Sequence, residues 1–269
     1  MKRFSVLIIL AGLFIQATAQ EKEKKLTTRK GEIYFSWGYN KEWYTKSNVH
    51  IKQGSLGNDY TMYGVTGKDH PGWDDGIFNK PLSIPQYNYR LGFLINRKKD
   101  LFFEINFDHT KYIIQDQGVH IGGTLNNRKV DSTIAFNEPN GFFYYLNNGA
   151  NFLLFNLVKR WKFYESDSRN FKLDGFGKAG IGPLVPHVEN MLFGVKNDPH
   201  FQIGGWNMGV EAALRATFYK YAYLEFSNKI DYARYSGLGI YQGTARQAFG
   251  TYELILSLGF TIPTGKKIQ

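Results

Sequence analysis

The 269-residue chain contains no cysteine. A disulfide framework, a lipid-modified N-terminal cysteine and thiol redox chemistry are therefore excluded. The sequence also lacks a solenoid-scale repeat and a Pro- or Ser-rich linker, which indicates a single domain. It has no HExxH, paired CxxC or P-loop pattern, and no two of its six histidines have metal-ligand spacing. We therefore predict no metal and no cofactor.

Long apolar runs are missing after the first nineteen residues, where no stretch approaches the ~20 residues that a membrane-spanning helix needs. The nineteen themselves combine MKRF, the apolar run SVLIILAGLFI and the small residues Ala17, Thr18 and Ala19. This combination predicts a signal peptide over 1–19, cleaved before Gln20, followed by a leader over 20–30. If the rest of the chain crosses a membrane, it must cross with strands.

Aromatic residues are abundant, at 17%, and so is glycine, with 29 residues, a mixture that favours strands. The clearest strand is TYELILSLGFTIP, residues 251–263, whose apolar and polar side chains alternate with period two. Seven further segments share the alternation: 33–43, 86–96, 101–112, 142–161, 171–182, 203–218 and 221–235. The segment 142–161 has apolar residues in both registers, which predicts a bulge.

The links between these eight predicted strands alternate in length. Those after the second, fourth and sixth strands are short, and those after the first, third, fifth and seventh are longer. The longer links cover 44–85, 113–141, 183–202 and 236–246. An even strand count with short turns at one rim and long loops at the other is typical of an outer-membrane barrel.

We therefore predict an all-β fold, a closed antiparallel transmembrane β-barrel over 31–263 with a periplasmic tail over 264–269. Eight strands are expected, and ten is the alternative if 59–67 pairs within the first long loop rather than forming a hairpin above the membrane. Aromatics near the strand ends, strand lengths of at least ~9–11 residues and large apolar side chains favour lipid over a soluble barrel. The residues predicted to face lipid are Tyr252, Leu254, Leu256, Leu258 and Phe260.

Two stretches carry a resemblance. IPQYNYRLGF (84–93) and FDHTKYIIQDQG (107–118) resemble stretches of uncharacterised outer-membrane β-barrel proteins of Bacteroidota. More loosely, the layout is similar to the small OmpX, OmpA and OmpW barrels. The resemblance implies the outer membrane of a Gram-negative bacterium, reached after signal-peptide cleavage, and implies no reaction.

Charges of both signs fall on the polar faces of the predicted strands. In a narrow eight-stranded barrel they point inward, where an unpaired charge is costly, so we expect a network that plugs the interior rather than an ion pathway. Its predicted members are Arg90, Glu104, Asp108, Asp174, Lys178, Glu211, Arg215, Glu225, Lys229 and Asp231.

One histidine invites a catalytic hypothesis. His109 follows Asp108 at the outer end of the third predicted strand, and outer-membrane lipid A deacylases resemble this in carrying a histidine with a nearby serine. The residue two beyond His109 is Lys111, so the match fails at the nucleophile. His109 is the only catalytic candidate and a weak one, and we expect it to contact lipid headgroups instead.

The leading hypothesis is a non-enzymatic structural, adhesive or ligand-binding protein that acts through its extracellular loops. Its formal net charge of +10 favours anionic lipid and lipopolysaccharide as partners, and exported proteins seldom meet nucleic acid. A protein or glycan partner is expected at the loops. Two alternatives stay open: an enzyme that modifies lipid A or phospholipid, and a narrow pore or carrier for small apolar molecules.

Overall fold

A computed structural model describes residues 28–70, 86–146 and 149–268. The predicted signal peptide and most of the predicted leader lie outside these residues. In the described ranges, no helix has the length and hydropathy needed to cross a membrane.

Strands dominate the described residues, together with two short 3-10 helices, η1 (Gly54–Leu56) and η2 (Glu138–Asn140). The strands are β1 (Thr28–Tyr44), β2 (Ser47–Gln53), β3 (Asn58–Val65), β4 (Gly67–Lys68), β5 (Tyr87–Asn96), β6 (Leu101–His109), β7 (Tyr112–Ile114), β8 (Gln117–Leu125), β9 (Arg128–Phe136), β10 (Phe143–Leu146), β11 (Phe152–Glu165), β12 (Phe171–Pro183), β13 (His187–Leu192), β14 (Val195–Lys196), β15 (His200–Phe201), β16 (Gly205–Phe218), β17 (Ala222–Ile240) and β18 (Gly243–Ile268).

Eight long strands pair antiparallel in the order β1-β5-β6-β11-β12-β16-β17-β18, and β18 pairs in turn with β1. We call these strands the ring. The prediction of an all-β fold with antiparallel pairing is confirmed. The ring includes most of each predicted strand except 142–161, of which it includes half, and β1 and β18 extend beyond 31–263 to Thr28 and Ile268.

The pairing around the ring is staggered. Following paired residues from Trp43 through the other seven strands leads back to β1 at Ile33, ten residues earlier. The path runs Trp43, Tyr252, Ile230, Val210, Ala179, Leu157, Phe103, Phe93 and Ile33. With a rise of about 3.3 Å per residue and a strand spacing of about 4.8 Å, a stagger of ten over eight strands tilts them by about 40°. That tilt lies in the range that barrels adopt.

Short turns lie at one end of the ring and long connections at the other. The turns follow β5, β11 and β16, and both ends of the described chain meet there, where Thr28 pairs with Ile268. We call this the turn end and the opposite one the loop end. The predicted alternation of link lengths holds for three of the four long links.

Large aromatic side chains lie over glycines on neighbouring strands inside the ring. The aromatic group of Tyr34 covers Gly92, and that of Tyr223 covers Gly259, so closely that a β-carbon at either glycine would overlap the aromatic atoms. Because both tyrosines are fully buried, they have no room to move aside. Packing of aromatic side chains against bare backbone thus accounts for glycine at these two positions.

The long connections fold into two sheets at the loop end, which we call the cap. In the first, β2 pairs with the loop end of β18, and β3, β8 and β9 follow outward. The second has the order β14-β13-β10-β7-β4, with β15 paired to β13. Their buried core includes Val49, Ile51, Tyr60, Met62, Tyr112, Val119, Tyr144, Phe152, Tyr235 and Phe249.

Two predictions about the connections are wrong. The segment 142–161 is not one bulged strand, because β10 lies in the cap and β11 lies in the ring. The predicted long link 236–246 is a two-residue turn, Tyr241 and Gln242, since β17 and β18 both continue into the cap. The stretch 59–67 forms a hairpin with β2 and takes no place in the ring, which agrees with the expectation of a hairpin.

Gly92→Ala should lower the free energy of unfolding by about 1–3 kcal/mol, because the new methyl group displaces the buried aromatic group of Tyr34. Urea-induced unfolding in detergent micelles measures the change. Gly54→Ala is the matched control, because no atom lies within 4 Å of a β-carbon at that position. Equal stability of the two variants would contradict the packing described.

Candidate functional site

The interior of the ring carries a row of charged side chains on directly paired residues. Glu42 lies opposite Glu253, Glu253 opposite Lys229, Lys229 opposite Glu211, and Glu211 opposite Lys178. None of the five is more than 5% exposed. The period of two along each strand puts all five on the inner face of the ring.

Lys229 is the centre of the loop-end half of this interior. Its Nζ lies 2.5 Å from Asp108 Oδ2 and 3.3 Å from Glu253 Oε1, and it also contacts Asp231 Oδ2. The three carboxylates lie close enough together to hold a cation, and the ammonium group of Lys229 already contacts all three. An added metal ion would therefore compete with Lys229.

Lys178 forms a second centre of this kind on β12. Its Nζ lies 2.9 Å from Glu211 and from Glu225, and 3.2 Å from Glu104. Arg90 joins the two centres, because its guanidinium lies 2.5 Å from Asp108 and 3.4 Å from Glu211. The ion pairs thus form a continuous network across the interior.

Arg215 links the network to an aromatic cluster near the turn end. Its guanidinium carbon lies 4.3, 4.2 and 3.9 Å from the ring centres of Tyr34, Phe176 and Tyr223. Its Nη2 also lies 2.6 Å from Glu225 Oε2. A desolvated cation over three aromatic faces is strongly held, so the turn end of the interior is filled by aromatic side chains.

Acids outnumber bases among the buried charges of the ring. Eight carboxyl groups face four bases in the described strands: Glu42, Glu104, Asp108, Asp174, Glu211, Glu225, Asp231 and Glu253 against Arg90, Lys178, Arg215 and Lys229. Neutral donors complete the network. Tyr34 Oη donates to Glu104 at 2.6 Å, Asn156 Nδ2 donates to the same carboxylate at 2.9 Å, and Asn40 Nδ2 donates to Glu42 at 2.6 Å.

The structure buries all ten residues that were predicted to form the interior network. Nine of them are joined by ion pairs, while Asp174 lies opposite Arg215 in the β12–β16 pairing at the margin of the network. Glu253 joins them through Lys229, and Glu42, which lies opposite Glu253, accepts a hydrogen bond from Asn40. The same alternation along their strands marks both as inward-facing in the sequence.

The cap covers the loop end of the interior. Phe152 belongs to the core of the cap, and Lys229 Nζ lies 5.6 Å from the centre of its aromatic ring. Tyr235, another member of that core, donates from Oη to the carbonyl of Ala150 at 2.8 Å. Buried side chains thus follow one another without a break from the aromatic cluster, through the ionic network, to the core of the cap.

One group of polar side chains inside the cap is held by hydrogen bonds. The hydroxyl of Tyr112 accepts from Gln247 Nε2 at 2.8 Å and lies 3.3 Å from Ser47 Oγ. Burial raises the pKa of Tyr112 to about 12, against a smaller lowering by these two contacts, so the phenol stays protonated at neutral pH. The aromatic ring of Tyr112 stacks on Phe249 at 4.6 Å between ring centres.

His109 contacts groups that are not nucleophiles. Its Nδ1 lies 2.9 Å from Asn151 Oδ1, and its imidazole stacks on Tyr87 at 4.6 Å between ring centres. The side chain is half-buried at the end of β6. These contacts tie the imidazole to the loop that precedes β11 and to β5.

The outward face of the ring is apolar and exposed. On β18, Leu256, Leu258 and Phe260 are 57%, 59% and 47% exposed, and Tyr252 and Leu254 are half-buried. Outward residues of the paired strands share this character: Leu157, Ile181, Met208, Val210, Leu214, Leu224, Phe226 and Ile230. Such a continuous belt is far larger than the apolar patches that monomers expose to water.

Aromatic side chains flank this belt. Towards the loop end, Trp43 packs on Tyr252 and Trp206 on Tyr232, with ring centres 5.7 and 5.8 Å apart. Towards the turn end, exposed aromatics include Trp161, Phe163, Tyr164, Phe218, Tyr219 and Tyr221. The two sets lie at opposite ends of the ring strands.

No protein-family model and no curated protein matches the chain. Solved structures give partial likenesses. The outer membrane protein OprG from Pseudomonas aeruginosa has 9% identity and a TM-score of 0.41, over 88% of this chain and 99% of that one. Outer membrane protein AlkL in DMPC lipid bilayers has 8% identity and a TM-score of 0.37, over 94% and 100%. Ail, the attachment invasion locus protein of Yersinia pestis, in complex with the heparin analogue sucrose octasulfate, has 13% identity and a TM-score of 0.32, over 86% and 99%.

All three TM-scores are below 0.5, so we infer the function of this chain from its own residues. The resemblance of 84–93 and 107–118 to barrels of Bacteroidota stays a prediction.

Lys229→Met should lower the free energy of unfolding by about 3–5 kcal/mol, because Asp108, Asp231 and Glu253 lose the cation that they share. Urea unfolding in micelles measures it, and Lys98→Met, at an exposed lysine in the turn after β5, is the control.

Adding Glu253→Gln to Lys229→Met should restore some of the lost stability, because it removes one uncompensated carboxylate from the interior. If Lys229→Met proved as stable as the control variant, that result would contradict the role of Lys229 as the centre of the network.

Proposed function

We propose that the chain is an outer-membrane β-barrel of eight strands, closed between β18 and β1, with its turn end in the periplasm and its cap outside the cell. The proposal rests above all on one observation: the polarity of the ring is the inverse of that of a water-soluble protein. Charged side chains are buried inside, and large apolar side chains are exposed outside. Exposed apolar side chains around buried charges are unfavourable in water, whereas hydrocarbon favours them around a closed ring whose strands pair with one another.

The filled interior argues for a protein that binds rather than conducts. The aromatic cluster, the ion pairs and the cap core follow one another along the axis of the ring, and eight strands leave little space between filled layers. A pore or a carrier with an interior pathway would need to break this network. An enzymatic role at His109 would need a nucleophile where Asn151 and Tyr87 lie.

The cap supplies the binding surface in this proposal. Its strands share a buried core, so the outer residues are held on a rigid support rather than on free loops. We propose a non-enzymatic envelope protein, structural or adhesive, whose cap contacts an extracellular protein or glycan and whose basic residues at the rim contact lipopolysaccharide.

Leu256→Arg should prevent or strongly slow assembly into liposomes, because a cation on the outward face of β18 would meet hydrocarbon at a cost of about 2–4 kcal/mol near the midplane. Heat-modifiable mobility in gels, together with circular dichroism, measures assembly. Thr133→Arg on β9 adds the same charge to an exposed position of the cap and should assemble normally.

Normal assembly of Leu256→Arg would contradict the membrane-facing register. Steady ion conductance of the assembled wild-type protein in planar bilayers would contradict the filled interior and favour the pore.

A further inference from the structure

The outward side chains of the ring change from aromatic to basic at the loop end. On β17, the outward position after Tyr232 is Arg234. On β18, the outward positions before Tyr252 are Gly250, Ala248 and Arg246. Basic residues thus follow the aromatic pairs towards the loop end on both strands, within two residues on β17 and within six on β18.

A groove of about 400 Å³ opens at this level, where β2 meets β18. Its lining residues are Lys46, Ser47, Asn48, Gly64 and Ala248. We call it the rim groove. It is shallow and open, and Gly64 and Ala248 add no bulky side chain to its lining.

Arg234 adjoins the rim groove, because it is the paired partner of Ala248 in the β17–β18 ladder. Lys46 and Arg234 therefore both flank Ala248. Arg246 lies two residues further along the same face of β18, with its Nη2 3.1 Å from His50 Nδ1.

Lys46 and Arg234 have no acidic counterpart among the residues whose positions are described, since no carboxylate of that set lies within 4 Å of either. The contrast with nearby Lys41 is clear, since Lys41 Nζ lies 2.9 Å from Asp69 Oδ1. Both side chains are exposed. Two exposed cations of like sign beside one open groove repel each other and gain from an anion placed between them.

We propose that the rim groove binds a phosphate group of a phosphorylated glycolipid in the outer leaflet. This rests on the proposed function, which places the groove just above the hydrocarbon. Lys46 and Arg234 supply charge and donors to the phosphate, and Asn48 supplies an amide to the adjoining sugar. The Trp43 and Tyr252 pair below the groove contacts the apolar region of the same lipid.

Position selects a lipid over a soluble anion. The groove opens on the outward face of the sheet, directly above the aromatic pairs that mark the border of the apolar belt. A lipid held there by its acyl chains presents its phosphate at the groove at high local concentration, whereas free phosphate gains from the charges alone.

The test compares charge-matched double variants of the full chain in phosphatidylcholine nanodiscs. Fluorescently labelled diphosphoryl lipid A should bind the wild-type protein at least about tenfold more tightly than Lys46→Gln/Arg234→Gln. Arg128→Gln/Lys129→Gln removes the same charge at β9 and should bind like the wild type. Lipid A stripped of phosphate should bind all three proteins equally weakly, and excess inorganic phosphate should compete poorly.

Equal loss of binding in both double variants would overturn the site in favour of unspecific charge attraction. Displacement of lipid A by low concentrations of inorganic phosphate would overturn the choice of a lipid as the occupant. Failure of the wild-type protein to insert into nanodiscs would refute the proposed function itself. Insertion without any preference for phosphorylated lipid A would refute only the rim groove.

Discussion

The stagger of ten residues around eight strands is the constraint on which the other features depend. It sets the tilt of the strands and thereby a narrow interior, in which each inward side chain meets those of several other strands. Charges placed there have no water to solvate them and must find partners, and they do so across the axis: Lys229 reaches Asp108 on β6, and Lys178 reaches Glu104 on the same strand. The network is the polar counterpart of a hydrophobic core.

In the proposed function, the filled interior leaves binding to two outer surfaces of the molecule, the cap and the rim groove. At the loop end, the extended β17–β18 hairpin carries β2 and then β3, β8 and β9, so the cap is built on ring strands rather than attached by linkers. Rigidity of this kind favours recognition by a fixed surface. At the rim, the change from Tyr232 to Arg234 on a single strand is the order expected for the proposed bilayer setting, from the interface to anionic headgroups.

Period two made the ring predictable from the sequence. Side chains in 203–218 and 251–263 alternate between apolar and polar because one face of each strand points outward and the other points into the ring. The inward charges follow from the same pattern. Apart from the hairpin at 59–67, the cap was not predictable, because its strands pair with distant partners, as β18 does with β2 and β3 with β8. The break between β10 and β11 could not be told from a bulge, because apolar residues in both registers fit either a bulge or two strands in different sheets. The contact of Arg215 with Tyr34 joins strands far apart in the chain and leaves no local signal.

The absence of native cysteine allows the most direct test of the central claim, that the outward face of the ring meets hydrocarbon. Single cysteines at Leu256 and Leu258, and at Lys129 and Thr133 on the cap, would carry an environment-sensitive fluorophore in liposomes containing lipids with mid-chain nitroxides. We predict strong quenching and a blue-shifted emission at 256 and 258, and neither effect at 129 and 133. A water-like emission without quenching at 256 and 258, in protein that circular dichroism shows to be folded, would contradict the claim.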